Sequence, residues 1–483
     1  MKKRDWSWTT TRLLAAYSLV MLRCGEGVAL RDLEADAVHA AATSSATSKL
    51  ESKAEAYLDV LTKRHVPFGQ VWGAILKTSG RSAGTKGCDD GSETYTVTDT
   101  VSSYAGQGDG AIWTGVYTAA LAYRCAVLKT SAACDLLKTQ VGVLHTLLKV
   151  TGKPGLITRG YEPPSTTCGK KTNGTRDYCY LESANGVHSG SGAYAGYKFM
   201  GDISRDQYAG WMFGLATAYD LYEDSATRAT IRGDVVEFVD TLMDNNWEIT
   251  NADGTTLSFD PGTISFDRAI MSLSYLRTAY HMSGESRFKD AFDEKVSGWY
   301  NWLDRAQLWL CAADLTLTTV CDRDDYYRFN IVAMPLSTLI RIDTDSTRRT
   351  AYRAILDRLW SGNGFNFSGV GADKNALFDL FYLNGSGKSG LASVSDDTSK
   401  QLTLFPSAPL RRDAVSNPDI AEKTFCDNVA SSALNIDKRP REDYAWQRSP
   451  TTINENCAQP WVERPGVDYL IAYWMARYDG YAK

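Results

Sequence analysis

An apolar helical segment that begins with an aspartate recurs along this chain, and it constrains the fold more than any other feature. The clearest copy is 204–222, SRDQYAGWMFGLATAYDLY. In it Trp211, Leu215 and Tyr219 repeat at helical spacing, which predicts a helix buried along most of its length. Its first turn carries Asp206, where a carboxylate suits the positive end of the helix dipole. The segment therefore predicts an inner helix whose N-terminal end is polar and open.

Three more segments open in the same way, at Asp109, Asp267 and Asp325. Asp206 and Asp267 are 61 residues apart and Asp267 and Asp325 are 58 apart, which is the length of one helical hairpin plus one long loop. A short polar turn and a more polar helix follow each apolar helix. The predicted hairpins are 110–128 with 132–150, 205–222 with 226–246, 266–282 with 287–309, and 327–341 with 347–360. The repeat therefore predicts that several of these aspartates meet at one end of the molecule.

The rest of the chain is less regular. Residues 51–64 predict a first amphipathic helix, and 66–108 predict loop with short strands. Within the irregular segment 362–463, residues 371–384 predict a helix, and 467–481 predict a last helix that closes a ring. The sequence as a whole therefore predicts an all-α fold, an (α/α) toroid of antiparallel helical hairpins with long loops at one end.

The N-terminus is typical of an export signal. Four basic residues within positions 2–12 precede an apolar run at 13–22, which is too short to span a bilayer as a stable anchor. We expect residues 1–29 to form a signal peptide, residues 30–50 a linker, and residues 51–483 the toroid domain. Cys24 is the candidate for lipid attachment. The expected location is therefore secreted, periplasmic or lipid-anchored at the cell surface.

Ten cysteines fit an oxidising compartment, and their spacing follows the hairpins and loops. The predicted disulfides are Cys125–Cys134, Cys168–Cys179, Cys311–Cys321 and Cys426–Cys457, which leaves Cys24 and Cys88 over. The net charge of −5 and the pI of about 5.7, without a block of basic residues, argue against nucleic acid and anionic membranes as partners. There is no CxxC or HExxH motif, so we expect no metal and no cofactor. We expect a monomer.

This organisation resembles the (α/α) toroids of six-hairpin glycoside hydrolases and polysaccharide lyases. The resemblance covers residues 51–481 and rests on the Asp-led inner helices, notably SRDQYAGWMFGL and GDGAIWTGVY. The irregular segment 362–463 departs from a regular six-hairpin pattern, which leaves the number of hairpins open. The resemblance implies a cleft for a polysaccharide or oligosaccharide at the N-terminal ends of the inner helices.

Hydrolysis of a glycosidic bond needs two carboxyl groups that flank the bond. The candidate catalytic residues are Asp206, Asp109, Asp267 and Asp325. Asp206 is preferred because Arg205, Gln207 and Tyr208 surround it with polar groups, which we expect to contact the substrate. The alternative for each aspartate is an ordinary role at a helix N-terminus, where this residue is common.

Four other residues are candidates for binding sugar. Trp113 and Trp461 offer aromatic faces on which a sugar ring can stack, and Arg464 offers a contact to an anion or hydroxyl group. His188 lies in a Gly/Ser-rich loop before the helix that carries Asp206. The alternatives are core positions for the aromatic residues, a salt-bridged loop anchor around Arg464, and a surface histidine without a role.

Three functions remain in competition. The leading hypothesis is an exported hydrolase of glycosidic bonds. The second is a lyase, in which Tyr194 or Tyr208 acts as the base and Arg205 holds a uronate carboxylate. The third is a surface protein that binds glycans without cleaving them, with aromatic residues that stack on sugars and carboxylates that only bond hydroxyl groups.

Overall fold

The computed structural model describes residues 43–79, 96–164, 178–262, 265–298, 301–304, 306, 327–362, 369–413, 432–441, 444–453 and 458–482. Helices predominate in these ranges, as the sequence predicts. They are α1 Thr43–Arg64, α2 Gly110–Leu128, α3 Ser131–Lys149, α4 Arg205–Leu221, α5 Ser225–Asp244, α6 Phe266–Ser283, α7 Ser286–Val296, α8 Tyr327–Ile342, α9 Ser346–Ser361, α10 Ala376–Gly385, α11 Ala392–Leu404 and α12 Val467–Tyr478.

The four predicted hairpins are present as α2–α3, α4–α5, α6–α7 and α8–α9. Seven of their eight helices agree with the prediction to within two residues at each end. The exception is α7, which ends at Val296 rather than 309. It ends there because Ser297 is extended and Gly298 adopts a left-handed φ of 78°, which a helix does not accommodate.

Helices α2, α4, α6, α8, α10 and α12 contact one another in closed order, each with the next and α12 with α2. The remaining helices pack against this set: α1 contacts α12, α3 contacts α2, and α11 contacts both α10 and α12. Almost every residue of α2 is buried, whereas α3 buries only one face. This difference is what distinguishes a helix surrounded by others from an amphipathic helix at the surface.

Helices α2 and α4 approach so closely that their backbones touch. A Cβ atom on Gly115 would lie 2.0 Å from the carbonyl oxygen of Gly210, and one on Gly210 would lie 2.4 Å from that of Ile112. A Cβ on Gly214 would likewise lie 2.4 Å from the carbonyl oxygen of Gly115. Since no larger residue fits at these positions, the glycines allow the contact that brings the two N-terminal ends together.

The helical content is consistent with the all-α prediction, but three small antiparallel sheets accompany the helices in the described ranges. Their strands are β1 Gly73–Ser79, β2 Thr96–Ala105, β3 Tyr161–Glu162, β4 Val187–Ser189, β5 Lys198–Met200, β6 Glu248–Thr250, β7 Thr256–Ser258, β8 Leu410–Arg412 and β9 Gln459–Arg464. The orders are β2-β1-β9-β8, β3-β5-β4 and β6-β7. The region 66–108, predicted as loop with short strands, therefore contains one strand of ten residues.

Three further expectations concern the chain termini and the disulfides. Helix α1 begins at Thr43, eight residues before the predicted start and within the segment predicted as linker. The predicted disulfide between Cys125 and Cys134 is confirmed and joins α2 to α3, and Cys179 is also disulfide-bonded. The signal peptide, Cys24, Cys88, Cys168 and the cysteines of the other two predicted disulfides lie outside the described residues.

One segment of the described chain, Gln107–Leu128, is long and apolar enough to cross a membrane. It comprises α2 and the turn before it, and 78% of its apolar window is buried inside the protein. It therefore serves as a core helix here.

Candidate active site

Asp109, Asp206 and Asp267 lie at the N-terminal ends of α2, α4 and α6, and none of them caps its helix. Asp109 occupies the N-cap position without a side-chain capping hydrogen bond, and the other two lie in the first turn. By contrast, Asp224 and Asp345 each cap an outer helix by accepting a hydrogen bond from a backbone N–H at 2.8 Å. Helix capping therefore does not account for the three inner aspartates.

Gln207 joins two of these carboxylates. Its Oε1 accepts a hydrogen bond from the backbone N–H of Ile112 at 3.1 Å, which leaves Nε2 as the donor. That nitrogen donates to Asp109 Oδ1 at 3.2 Å and to Asp206 Oδ2 at 3.1 Å. The two oxygens are thus no more than about 6.3 Å apart, the sum of the two distances. Gln207 is fully buried, so the expected substrate contact is wrong and its role is to position the carboxylates.

Arg159 fixes the two loops that precede these helices. Its Nη1 donates to the carbonyl oxygen of Gly108 at 2.5 Å, and its Nη2 donates to Ser204 Oγ at 2.9 Å. Its Nε donates to the carbonyl oxygen of Asp202 at 2.6 Å. Sequence reasoning missed Arg159, because its partners are more than forty residues away and no local pattern marks it.

Asp109 opens onto a cleft of about 360 Å³, which we call the first cleft. Its polar and aromatic lining comprises Asp109, Trp113, Glu182, Tyr444, Arg448, Arg464 and Asp468. Trp113 is 94% buried, and the ring of Tyr444 stacks on it with 3.8 Å between centroids and 21° between planes. One face of Trp113 is thus already covered by protein, which corrects the expectation of an open platform for sugar.

Two acidic residues of the first cleft were not predicted. Glu182 Oε1 accepts hydrogen bonds from the backbone N–H groups of Gly106 and Gln107 and so holds the loop before Asp109. Asp468 Oδ2 accepts one from the backbone N–H of Ala445 at 3.0 Å, next to Tyr444. Asp468 lies in the first turn of α12, so the same Asp-led pattern that marks the other inner helices would have identified it.

Asp206 and Asp267 open onto a second cleft of about 400 Å³, between the N-terminal ends of α4, α6 and α8. Its charged and aromatic lining comprises Arg205, Asp206, Asp267, Arg268, Tyr327 and Arg328. Burial and the nearby charge of Arg268 lower the pKa of Arg205, although Asp267 and Asp206 oppose this shift. Asp325, the fourth predicted catalytic residue, lies outside the described residues.

Two predicted binding residues do not lie at either cleft. Tyr208 is fully buried, and its hydroxyl donates to the carbonyl oxygen of Gly155 at 3.0 Å and accepts from the N–H of Ile157 at 3.2 Å. Burial raises the pKa of this hydroxyl, so Tyr208 cannot act as the base. His188 is on β4, where its ring stacks on Phe199 with 5.4 Å between centroids. The expected contact of Tyr208 with substrate is therefore wrong, whereas that of half-buried His188 stays a prediction.

The predicted residues at the end of the chain divide into two groups. Arg464 lines the first cleft, whereas Trp461 is 93% buried on the same strand and lines neither cleft. Glu463, between them, is fully buried and ion-paired with Arg64 at 2.9 Å and with His65 at 3.0 Å. Strand β9 is therefore a salt-bridged anchor that presents only Arg464 to the site.

In the ranges that the structure describes, no three His, Cys, Asp or Glu side chains are grouped so that they could hold a metal ion. The site there consists of carboxylates, arginines and aromatic rings.

No family model matches the sequence, and no curated protein matches it. Among solved structures, the chain is similar to endoglucanase CelQ from Clostridium thermocellum complexed with cellotetraose, at 11% sequence identity and a TM-score of 0.40. The match covers 89% of this chain and 70% of that chain. No function follows from a likeness at this level.

Proposed function

We propose that this protein is a carbohydrate-active enzyme that hydrolyses glycosidic bonds, with Asp109 and Asp206 as its two catalytic carboxyl groups. The observation that supports this most is the shared Gln207 donor, which holds together one carboxylate from each cleft. Retaining enzymes keep the two groups about 5–5.5 Å apart, and inverting enzymes about 6.5–9.5 Å. The two oxygens that share the Gln207 donor are at most about 6.3 Å apart, just below the inverting range, and on this basis we propose the retaining mechanism.

The surroundings suggest how the two roles divide. Asp206 shares its cleft with Arg205 and Arg268, and a carboxylate beside cations suits the nucleophile. The cleft of Asp109 contains Arg448 and Arg464 as well as Glu182 and Asp468, so its three acidic groups outnumber its two arginines, and this excess suits the proton donor.

The reaction then proceeds in two steps. Asp109 gives its proton to the glycosidic oxygen while a carboxylate oxygen of Asp206 bonds to the anomeric carbon and the leaving sugar departs. Asp109, now a carboxylate, takes a proton from a water molecule whose oxygen attacks the same carbon and releases Asp206. Gln207 holds both groups in place throughout.

The closed order of contacts among α2, α4, α6, α8, α10 and α12 supports the further proposal that they form the inner ring of an (α/α) toroid. In that arrangement the two clefts lie side by side at its N-terminal face, which suits a polysaccharide or oligosaccharide of several units. The disulfide between Cys125 and Cys134 supports export. Attachment of lipid at Cys24 and a monomeric state remain part of this proposal.

The test is a panel of polysaccharides assayed for new reducing ends with the wild-type protein and with Asp109→Asn and Asp206→Asn. Each variant is expected to lose about 10²–10⁴-fold in kcat on the glycan that is cut. Asp290→Asn, an exposed residue of α7, is the control and should keep wild-type activity. Full activity in either Asp109→Asn or Asp206→Asn would remove that residue from the mechanism.

A lyase is the second candidate, because the second cleft combines Tyr327, which is 36% exposed, with three arginines. A phenolate base and a cation that binds a uronate carboxylate are what β-elimination needs. A lyase releases unsaturated, ultraviolet-absorbing products and loses activity in Tyr327→Phe, whereas a hydrolase releases reducing ends without that absorption. A protein that only binds glycans gives neither signal but retains the polysaccharide in a pull-down.

A further inference from the structure

Two of the three arginines that line the second cleft, Arg205 and Arg268, have few partners among the described residues. Arg205 Nη1 donates to the carbonyl oxygen of Ser258 at 3.4 Å, and its Nε is 4.0 Å from Asp267 Oδ2. Arg268 Nη1 donates to the carbonyl oxygen of Asp260 at 3.2 Å. Within the described ranges Arg268 Nε is buried without a hydrogen-bond partner, and Arg268 forms no ion pair. Most of the N–H donors of these two guanidinium groups therefore lack an acceptor among the residues that the structure describes.

Arg348 provides a comparison, because its guanidinium group is paired with a carboxylate within the protein. Arg348 binds Asp343 through two parallel hydrogen bonds, from Nε at 2.7 Å and from Nη2 at 2.9 Å. Such a fork matches a carboxylate in both shape and charge. Neither Arg205 nor Arg268 has an equivalent partner among the described carboxylates.

The two acidic residues of the second cleft do not provide such a paired carboxylate for Arg205 or Arg268. Asp267 Oδ1 accepts a hydrogen bond from Ser265 Oγ at 2.8 Å, and Asp206 Oδ2 accepts one from Gln207. Burial and the charge of Arg268 both lower the pKa of Arg205. Two cations therefore repel each other in a partly buried cleft. An added anion between them would relieve that repulsion.

We propose that the second cleft is a subsite for an anionic sugar, and that Arg205 and Arg268 grip its carboxylate or sulfate group. The planar fork of arginine is suited to either group, whereas a neutral sugar offers only hydroxyl groups. This inference rests on the proposed function, because it takes Asp206 as a catalytic residue. Asp206 lines the same cleft as the two arginines, so the anionic sugar unit lies next to the bond that is cleaved. It makes the substrate an acidic glycan.

The test compares matched substrates. One pair is a uronate-containing polysaccharide and its carboxyl-reduced form, and the other is a sulfated polysaccharide and its desulfated form. The acidic member of one pair should be cleaved with a kcat/KM about 10–100-fold higher than its neutral form, the value expected for hydrogen bonds to a charged group. Whichever pair shows the difference identifies the anionic group.

Variants then connect the preference to the arginines. Arg268→Gln should lower the ratio of acidic to neutral kcat/KM about tenfold, mainly through KM, and Arg268→Lys should lower it less. Arg232→Gln, an exposed arginine of α5, should keep the wild-type ratio. Equal cleavage of both members of both pairs, or a preference that Arg268→Gln leaves intact, would overturn the proposal.

Binding separates failure of this inference from failure of the proposed function. Calorimetric titration of the whole protein with a uronate oligosaccharide and with a sulfated oligosaccharide should show binding of at least one of them, and Arg268→Gln should weaken that binding about tenfold. If no glycan is cleaved, the hydrolase proposal fails, and the titration alone decides on the anionic subsite. Absence of binding to both oligosaccharides would overturn the subsite.

Discussion

Helices α4, α6 and α8 carry charged residues at both ends, and the two ends use them differently. At the C-terminal ends, Asp220 accepts a hydrogen bond from His281 at 2.8 Å and pairs directly with Arg341. At the N-terminal ends, the corresponding ion pair between Arg205 and Asp267 spans 4.0 Å. The same three helices therefore have one end at which charges satisfy each other and one end at which they line an open cleft.

The pKa shifts follow the same division. Burial alone would raise the pKa of Asp220, but His281 and Arg341 outweigh it and lower the pKa. At the other end, burial and Arg268 lower the pKa of Arg205, so the cation is less favoured there than it is in water. The charges at the C-terminal ends are therefore paired more closely within the protein than Arg205 and Asp267 are at the second cleft.

The largest expected difference in kcat is between variants of Asp206 and Asp220, which lie at opposite ends of α4. Asp206→Asn should lower kcat about 10²–10⁴-fold with little change in stability. Asp220→Asn should keep kcat within about twofold per folded molecule but lower the free energy of unfolding by about 1–3 kcal/mol, because it weakens hydrogen bonds to charged groups. Kinetics and denaturant unfolding on both variants measure this. A large loss of kcat in Asp220→Asn would contradict the proposed difference between the two ends of the helix.

Gln207→Glu tests whether the shared donor positions the two carboxylates. It keeps the size of the side chain but replaces the donor with a third carboxylate, so kcat at neutral pH should fall about 10–100-fold. Activity should recover in part at acidic pH, where the new group is protonated and donates a hydrogen bond again. The pH–rate profile is the measurement. A uniform loss at all pH values would indicate a structural defect instead.

Gly210→Ala tests whether the close contact of α2 and α4 supports the site. The added Cβ would lie 2.4 Å from the carbonyl oxygen of Ile112, so we expect a loss of about 1–3 kcal/mol in stability together with reduced kcat. Gly233→Ala, in α5, meets nothing within 4 Å and should stabilise the protein by about 0.5–1 kcal/mol with unchanged kcat. Equal effects of the two substitutions would contradict the tight packing.

The smallest expected effect concerns Asp479, beside the C-terminal ends. Burial raises its pKa from 3.8 to about 6, so the folded state binds a proton that the unfolded state releases between these values. Stability should therefore fall as the pH rises from about 4 to about 6, by up to about 2 kcal/mol. Asp479→Asn should remove this dependence and melt at a higher temperature than wild type at pH 7. An unchanged pH dependence of the melting temperature would refute it.

Local patterns predicted the helices, and non-local contacts explain what was missed. The hairpins follow from the period of apolar residues, which a single segment reveals. Strands β1 and β2 were underestimated because β1 also pairs with β9, nearly four hundred residues away. Helix α7 was overextended because its apolar pattern continues past the glycine that ends it.

Prediction of the site residues was limited in the same way, because local patterns do not reveal non-local contacts. The Asp-led pattern found Asp109, Asp206 and Asp267, because a helix start is a local signal. It could not separate Gln207, which is buried and bridges two carboxylates, from Arg205, which opens onto a cleft. Tyr208 was misassigned for the same reason, since which face of a helix is covered depends on its neighbours.

The most direct test of the catalytic pair is rescue of Asp206→Ala by azide on the glycan that the wild type cleaves. If Asp206 is the nucleophile opposite Asp109, the variant should be nearly inactive alone, and azide should restore cleavage and appear in the product as a glycosyl azide. A variant that cleaves at the wild-type rate without azide would contradict the account.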